Sequence, residues 1–351
     1  MNPICFYHRA DFDGVCSAAI VKKFVPDCEL YGIDYGDPFP WDKAASRLGP
    51  PETTPGGKVE SDPDHPGVAR VSDPGLRWPI KRRQVYMVDF SLEPDEMKRL
   101  NECCDLTWID HHKSAIDSCE GLGIRGIRHS GLAACELCWT WFDQHNGAIT
   151  NELLVRHFEV FAGRRPEAVR LLGRYDVWDA KNPDWQRIEA FQFGMRSVQG
   201  AMDPTGGSGF CWQDLLSGGL DCAAIADRGY AILSYRDQEA KSLCADGARV
   251  EFLFPRDGCP KKNETETCFD AWNLVCLNSL QRGSWQFNSV WDPEKYDAMC
   301  VYGRLKNGKY RVSLYSTKEE VDCGAIAKAL GGGGHKGAAG FLCDKLPWEG
   351  A

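Results

Sequence analysis

Leu106-Thr-Trp-Ile-Asp110-His111-His112 is the stretch from which the fold is read. Four strand-forming residues run directly into one carboxylate and two imidazoles. A short apolar run that stops at polar residues has the pattern of a buried strand. The pattern occurs twice more upstream. Ile4 to Tyr7 leads into His8-Arg-Ala-Asp11-Phe-Asp13-Gly14, and Val85-Tyr-Met-Val leads into Asp89. Between these runs the periodicity turns helical. Val15 to Phe24 reads as a helix with Ala18, Ala19 and Val21 toward a sheet. Leu30 to Ile33 reads as another strand, and Glu93 to Leu100 as a helix with an acidic first turn. Strands that alternate with helices predict an α/β fold with a parallel sheet and crossover helices. Ligands of such sheets bind at the carboxyl ends of the strands. All three polar clusters are expected there.

Taken singly, an Asp or His after a strand reads as a helix cap or a solvated loop residue. Three coincident clusters read differently. Carboxylates packed side by side resist ionising together, and a divalent cation removes that penalty. A mixed Asp and His set suits Mn²⁺ or another first-row metal, whereas oxygen ligands alone suit Mg²⁺.

The rest of the chain organises around this half. Pro50 to Pro79 is rich in Pro, Gly, Asp and Ser and reads as an irregular surface insertion. Ala133 to Phe142 reads as a buried helix, and Leu153 to Phe161 and Glu167 to Tyr175 continue helically. Gly200 to Gly209 reads as a loop or linker, and Cys222 to Leu243 as one long helix. Strand patterns return at Leu274 to Leu277, Ala298 to Tyr302 and Tyr310 to Tyr315. A helix from Cys323 to Leu330 then meets the glycines 331–334. The expected domains are 1–200, with an insertion at about 50–79, a linker and connecting helix at 201–245, and a smaller α/β domain at 246–351.

Composition narrows the class of function. The 351 residues suffice for about two domains at roughly 150 residues each. A hydrophobic share of 43% and a charged share of 26% fit a globular chain and exclude a disordered one. No apolar run approaches the ~20 residues that cross a bilayer, so no membrane association is expected. Met-Asn-Pro-Ile lacks the basic region and apolar core of a signal peptide, and a cytoplasmic location is the expectation. With 41 basic and 50 acidic residues the net charge is −9, which excludes coating of long duplex nucleic acid but permits a short anionic substrate at a local positive site. The 17 cysteines are expected to be reduced thiols. Cys135-Glu-Leu-Cys138 is a single Cys-x-x-Cys pair inside an apolar helical run, which does not make a zinc ribbon.

The ordered set His8/Asp11/Asp13, Asp89 and Asp110-His111-His112 resembles the DHH phosphoesterase superfamily, which includes oligoribonucleases and RecJ-like phosphodiesterases. The C-terminal segment Ser313-Leu-Tyr-Ser316, Val321-Asp322, Ile326-Ala327 and Gly331-Gly-Gly-Gly-His335-Lys-Gly-Ala-Ala-Gly-Phe341 is similar to the DHHA1 domain that follows many DHH domains. The resemblance implies an active site in a cleft between the two domains. It implies two Mn²⁺ ions, with Mg²⁺ or Co²⁺ as substitutes. His8, Asp11 and Asp89 match the ligands of one ion. Asp13, Asp89, His111 and a later aspartate match the other, with Asp89 bridging. Asp176 in Arg-Tyr-Asp-Val-Trp-Asp fits the later position, with Asp179 as competitor. His112 matches a phosphate-contacting residue and, with Asp89, is assigned to catalysis. Arg311, Gly332, Gly333, Gly334, His335 and Lys336 are assigned to substrate binding, the glycines as a nest of N–H groups for an anion.

The implied activity is two-metal hydrolysis of short oligonucleotides or linear dinucleotides to mononucleotides. The alternatives are a phosphatase for nucleotide bisphosphates and a non-catalytic nucleotide-binding module. A homodimer is compatible with all of them. The substrate assignment stays open at this point.

Overall fold

The computed structural model describes residues 1–44, 59–61, 69–71, 82–143, 165–207, 209–253 and 271–349. It divides into two compact units, Met1–Tyr230 and Ala231–Ala351.

The first unit opens with β1 (Ile4–His8), α1 (Phe12–Phe24), β2 (Glu29–Ile33) and a short α2 (Trp41–Ala44). Two short strands, β3 (Val59–Ser61) and β4 (Ala69–Val71), pair antiparallel. They fall inside the segment expected to be irregular, so part of that insertion is a strand pair; the rest of it lies outside the described residues. β5 (Gln84–Val88), α3 (Pro94–Cys103), β6 (Asp105–Ile109) and α4 (Lys113–Ser118) follow. Then come α5 (Ala134–Asp143), α6 (Glu167–Asp176), α7 (Trp185–Arg196), α8 (Trp212–Leu216) and the start of α9 (Cys222–Gly247). The expected helix at Leu153 to Phe161 lies outside the described residues.

Strands β2, β1, β5 and β6 form a sheet in that order, and every pairing is parallel. The chain leaves β1 to one side for β2, then returns to the other side for β5. This reversal of direction beside β1 creates the crevice at which open α/β sheets bind ligands. Alternation along the strands fills two layers. Ile4, Phe6, Val85, Met87, Leu106 and Trp108 join Met97 and Leu100 of α3 in one core. Cys5, Tyr86, Val88 and Ile109 are buried on the opposite face. Ten consecutive residues of α1, Phe12 to Val21, are buried. A helix buried on all sides explains why that segment shows little amphipathic pattern.

The division between units falls inside α9, within the span 201–245 expected to hold a linker and connecting helix. The physical reason is packing. Trp212 of α8 is fully buried and its Nε1 donates to Ala201 O at 3.0 Å. Gln213 Nε2 donates to Ala19 O of α1 at 3.2 Å. Residues 201–230 therefore belong to the first unit.

The second unit holds the end of α9, β7 (Arg249–Leu253), β8 (Trp272–Asn278), β9 (Ala298–Arg304), β10 (Tyr310–Tyr315), α10 (Cys323–Ala329), β11 (Gly333–His335) and β12 (Ala338–Cys343). The sheet order is β11-β12-β10-β9-β8-β7, antiparallel except for the β8–β9 pair. Cys276, Val312, Leu314 and Phe341 pack with Ile326 and Ala327 of α10, and Val275, Leu277, Met299 and Val301 pack on the other face with Phe287. Among the described residues all cysteines are free thiols, and no helix is long and apolar enough to cross a membrane.

Candidate metal centre

Each polar cluster of the sequence stands at the carboxyl end of a strand in the first sheet. His8 closes β1, Asp89 follows β5, and Asp110 to His112 follow β6. Asp11 and Asp13 open α1, directly after β1. Gly14 is required at this corner, because a Cβ there would lie 1.9 Å from His8 O. Asp89 adopts φ +53°, a left-handed conformation that few non-glycine residues hold, although Asp tolerates it better than most. Its N–H donates to Ile109 O at 3.0 Å, which ties the turn to β6.

His8, Asp11 and Asp89 form one group of potential cation ligands, and Asp13, His111 and Asp176 form a second. In the first, His8 Nδ1 lies 2.6 Å from Asp11 Oδ2 and 3.6 Å from Asp89 Oδ2. In the second, His111 Nε2 lies 3.5 Å from Asp13 Oδ2, 3.3 Å from Asp176 Oδ2 and 3.2 Å from Asp89 Oδ1. Asp89 thus faces both groups, with one oxygen toward each. A third combination, Asp89, His111 and His112, also meets the spacing. Its His112 Nδ1, however, lies 2.8 Å from Asp110 Oδ1 and 3.9 Å from Asp89 Oδ1.

Asp11 caps a helix and also faces the first candidate ligand group. Its Oδ1 accepts the N–H of Gly14 at 3.0 Å as the cap of α1, while its Oδ2 faces His8. Asp13 likewise does two things. Its two oxygens accept the N–H groups of Ala134 and Cys135 at the start of α5, each at 2.8 Å. Asp176 is the last residue of α6 and reaches His111, whereas Asp179 faces Arg174 at 3.8 Å and accepts from Asn182 at 2.9 Å. A buried ion network holds α5 and α6 in this register. Glu136 of α5 pairs with Arg165 Nη1 at 2.9 Å and with Arg174 of α6, and its Oε2 accepts the Ala133 N–H at 3.2 Å. Gly173 permits the approach, since a Cβ there would lie 2.6 Å from Glu136 Cγ.

The electrostatics fit a cation. Burial, then the Asp89 charge, pushes the Asp13 carboxyl up to about 7. Burial, then Asp13, pushes Asp176 to about 7. Asp89 is 1% exposed, and burial raises its carboxyl well above the usual range. The Asp11 carboxylate, then Asp89, holds His8 up at about 10. Four carboxyl groups here do not all ionise without a compensating charge. Asp89 Oδ1 is buried with no hydrogen-bond partner, and such an orphaned atom needs one. A divalent cation in each group would supply it.

Asp110 and Asp34 were not singled out individually from the sequence. Asp110 is fully buried, and Trp108 Nε1, the His111 and His112 N–H groups and His112 Nδ1 surround its oxygens. It is an orienting group for His112. The signal was its place as the first letter of the motif. Asp34, the residue after β2, lies 3.4 Å from His8 Nε2, and only its strand-end position pointed to it.

The substrate-binding assignments in the second unit are placed as follows. The glycine run differs from the nest expected of it. Gly331, at φ +83°, and Gly332 close α10: their N–H groups donate to Lys328 O and Ala327 O at 3.1 and 2.8 Å. This is a Schellman cap. Gly333, Gly334 and His335 then pair with β12 as an edge strand, opposite Gly340, Ala339 and Ala338. Hydrogen bonding within the fold has taken up the Gly331 and Gly332 amides that a nest would offer. His335 and Lys336 are exposed, and Arg311 Nη2 donates to Leu280 O at 2.6 Å.

Comparison with known proteins adds the following. Residues 291–346 match the DHHA1 domain family. No curated protein matches the chain. Among solved structures it is similar to a DHH domain described as a member of a family of ribosomal proteins (13% identity, 97% of this chain and 82% of that one, TM-score 0.49). It is also similar to an exopolyphosphatase-related protein from Bacteroides fragilis (14% identity, 96% and 85%, TM-score 0.42) and to a pGpG-specific phosphodiesterase from Vibrio cholerae (10% identity, 97% and 92%, TM-score 0.41). The C-terminal unit thus carries a match to the DHHA1 domain family, and the Asp-His-His constellation stands assembled at the strand ends of the N-terminal sheet.

Proposed function

We propose that this protein is a metal-dependent phosphoesterase, and more narrowly a phosphodiesterase that cleaves short oligonucleotides or linear dinucleotides to mononucleotides with two Mn²⁺ ions. The observation that carries the reading is the sharing of Asp89 between two groups of candidate ligands, His8/Asp11 and His111/Asp13/Asp176. One carboxylate between two cation positions is the arrangement that two-metal hydrolysis requires. When bound, such a pair would neutralise phosphoryl oxygens and lower the pKa of a bound water.

The chain's own residues supply the rest. Asp110 accepts from His112 Nδ1, which leaves Nε2 free to donate to charge that develops on the phosphoryl group. Asp110 also holds the His112 imidazole up at about 9 in the metal-free protein, which favours a proton on Nε2. The Asp13 interactions with the N-terminus of α5 fix the carboxylate in place before any ligand arrives. His335 and Lys336 are the candidate substrate contacts of the second unit.

The test is turnover of a panel with Mn²⁺: linear dinucleotides, five-mers, cyclic dinucleotides, adenosine bisphosphate and pyrophosphate. The reading expects linear dinucleotides and short oligomers to be cleaved fastest and chelation to abolish the activity. Preference for adenosine bisphosphate would replace it with the phosphatase reading. Tight nucleotide binding without turnover would replace it with the binding-module reading.

A further inference from the structure

Trp178 stands at a position where the backbone favours glycine. Helix α6 ends at Asp176, and the next turn is a Schellman cap: Trp178 N–H donates to Tyr175 O and Asp179 N–H to Arg174 O, both at 3.0 Å. The cap needs one residue in the left-handed region, a place usually taken by glycine. Here that residue is Trp178, with φ +52°. For a bulky side chain this is an uncommon and strained conformation. Its ring is not hidden in compensation, for the residue is 63% exposed.

The ring belongs to a cluster. Tyr175 and Trp185 of α7 stack with centroids 5.8 Å apart and planes 1° apart. Trp178 meets both at steep angles, at 5.7 Å from Tyr175 and 5.1 Å from Trp185. These contacts hold the indole at a set angle while much of its surface stays in water. Strained backbone and exposed apolar surface both oppose folding, and strain of this kind collects where a binding site needs a residue held in place. Trp178 is two residues from Asp176, whose carboxylate faces His111 in the candidate metal centre.

We propose that Trp178, two residues along the chain from the candidate ligand Asp176, is a stacking platform for a nucleobase of the substrate. The proposal rests on the phosphodiesterase reading and deepens it by assigning a base-recognition residue. A nucleotide joins an anionic phosphate to a flat base through one sugar. The cation site would hold the phosphate, and an indole held two residues away offers a π-face. Every base has a π-face, so such a platform selects for a nucleoside without selecting among bases. A linear sugar phosphate would gain nothing from it.

The test compares adenosine 5′-monophosphate with ribose 5-phosphate, each titrated calorimetrically into the Mn²⁺-loaded protein. Base stacking by alanine substitution implies that wild type prefers the nucleotide by roughly 5- to 150-fold. Trp178→Gly relieves the strained turn and removes the ring. It should abolish the preference, leave ribose 5-phosphate affinity and metal content unchanged, and keep Tm at or above that of wild type. Trp178→Tyr should retain most of the preference. Equal binding of the two ligands by wild type, or a preference that survives in Trp178→Gly, overturns the platform. So does a fall in Tm for Trp178→Gly, which would assign the ring to folding. Turnover of a linear dinucleotide by wild type is scored separately. If it fails while the base preference stands, the phosphodiesterase reading falls and the platform does not.

Discussion

Asp110 Oδ1 and His112 Nδ1 lie 2.8 Å apart, and the same oxygen accepts the His112 N–H at 3.1 Å. The first letter of the motif therefore positions its third. Asp110→Asn removes the charge that supports the imidazolium. Turnover is expected to fall roughly ten- to a hundred-fold, toward the ~10²–10³ lost when one transition-state donor is deleted. The raised imidazole, at about 9, should move down toward the ordinary His value. Activity that needs protonated His112 is lost as pH rises and the imidazole deprotonates, so without the Asp110 charge the alkaline limb of the kcat profile should shift to lower pH. Bound metal should not change. A pH–rate profile with metal analysis checks both statements, and an unshifted limb would remove Asp110 from this role.

Asp89 serves both candidate ligand groups, so its loss should disturb both. Asp89→Ala is expected to bind fewer ions per chain than a variant of any other candidate ligand. Turnover should fall by ~10³-fold or more, since each cation contributes several kcal/mol. Alanine at φ +53° adds backbone strain, and Asn tolerates that conformation better. Asp89→Asn should therefore fold as wild type does while showing the same loss. Elemental analysis of both variants, with circular dichroism as the folding control, gives the result. Near-normal rates in a metal-replete Asp89→Asn would refute the bridging role.

The raised carboxyls set a pH dependence for the metal-free protein. Asp13 and Asp176 reach about 7 when folded, against about 4 when unfolded. Between those values the native state binds more protons than the unfolded state. Stability from these two groups is therefore lost as pH rises from about 4 to about 7. The raised histidines contribute no slope in most of that window, because both states keep them protonated below about 6.5. Metal-free Asp176→Asn should match wild type in Tm near pH 4 and exceed it above pH 7. Mn²⁺ affinity of wild type should weaken as pH falls below 7, with protons released on binding. Melting curves in chelator and titrations in two buffers measure these effects. A Tm difference between variant and wild type that does not vary with pH would contradict them.

His335 is exposed on the edge strand of the second unit, and no candidate ligand lies in that segment. His335→Ala should leave metal content unchanged. Loss of a hydrogen bond to a charged group costs ~1.5–3 kcal/mol, or roughly ten- to a hundred-fold in kcat/KM for a dinucleotide. A small non-nucleotide phosphate ester should lose much less. The ratio between the two substrates is the measurement, and equal losses would remove His335 from substrate recognition.

Most of the strands, the parallel character of the first sheet and the residues at its strand ends are legible in local sequence pattern. Short apolar runs such as Ile4 to Tyr7 and Leu106 to Ile109 are local, and a strand of that length is limited by its neighbours in sequence. The expected ends lie within one residue of β1, β2, β5 and β6. The sequence is less informative where structure depends on distant packing. No local pattern marks helix α7 or strands β7 and β12, and none shows that Gly331 and Gly332 cap helix α10 while Gly333 and Gly334 pair with β12. The distinction between Asp176 and Asp179 is of the same kind. Both follow Tyr175 within four positions, and no periodicity separates them. Glu136 lies 38 and 29 residues from Arg174 and Arg165, the partners it anchors, and so sets where α6 ends. The left-handed turns at Asp89 and Trp178 are likewise invisible to pattern reading, because propensity argues against them and only surrounding contacts hold them. Local chemistry told which residues would meet at the strand ends. Long-range packing decided which oxygen of each faces the candidate cation positions, which caps a helix, and which carboxylate faces Arg174 instead.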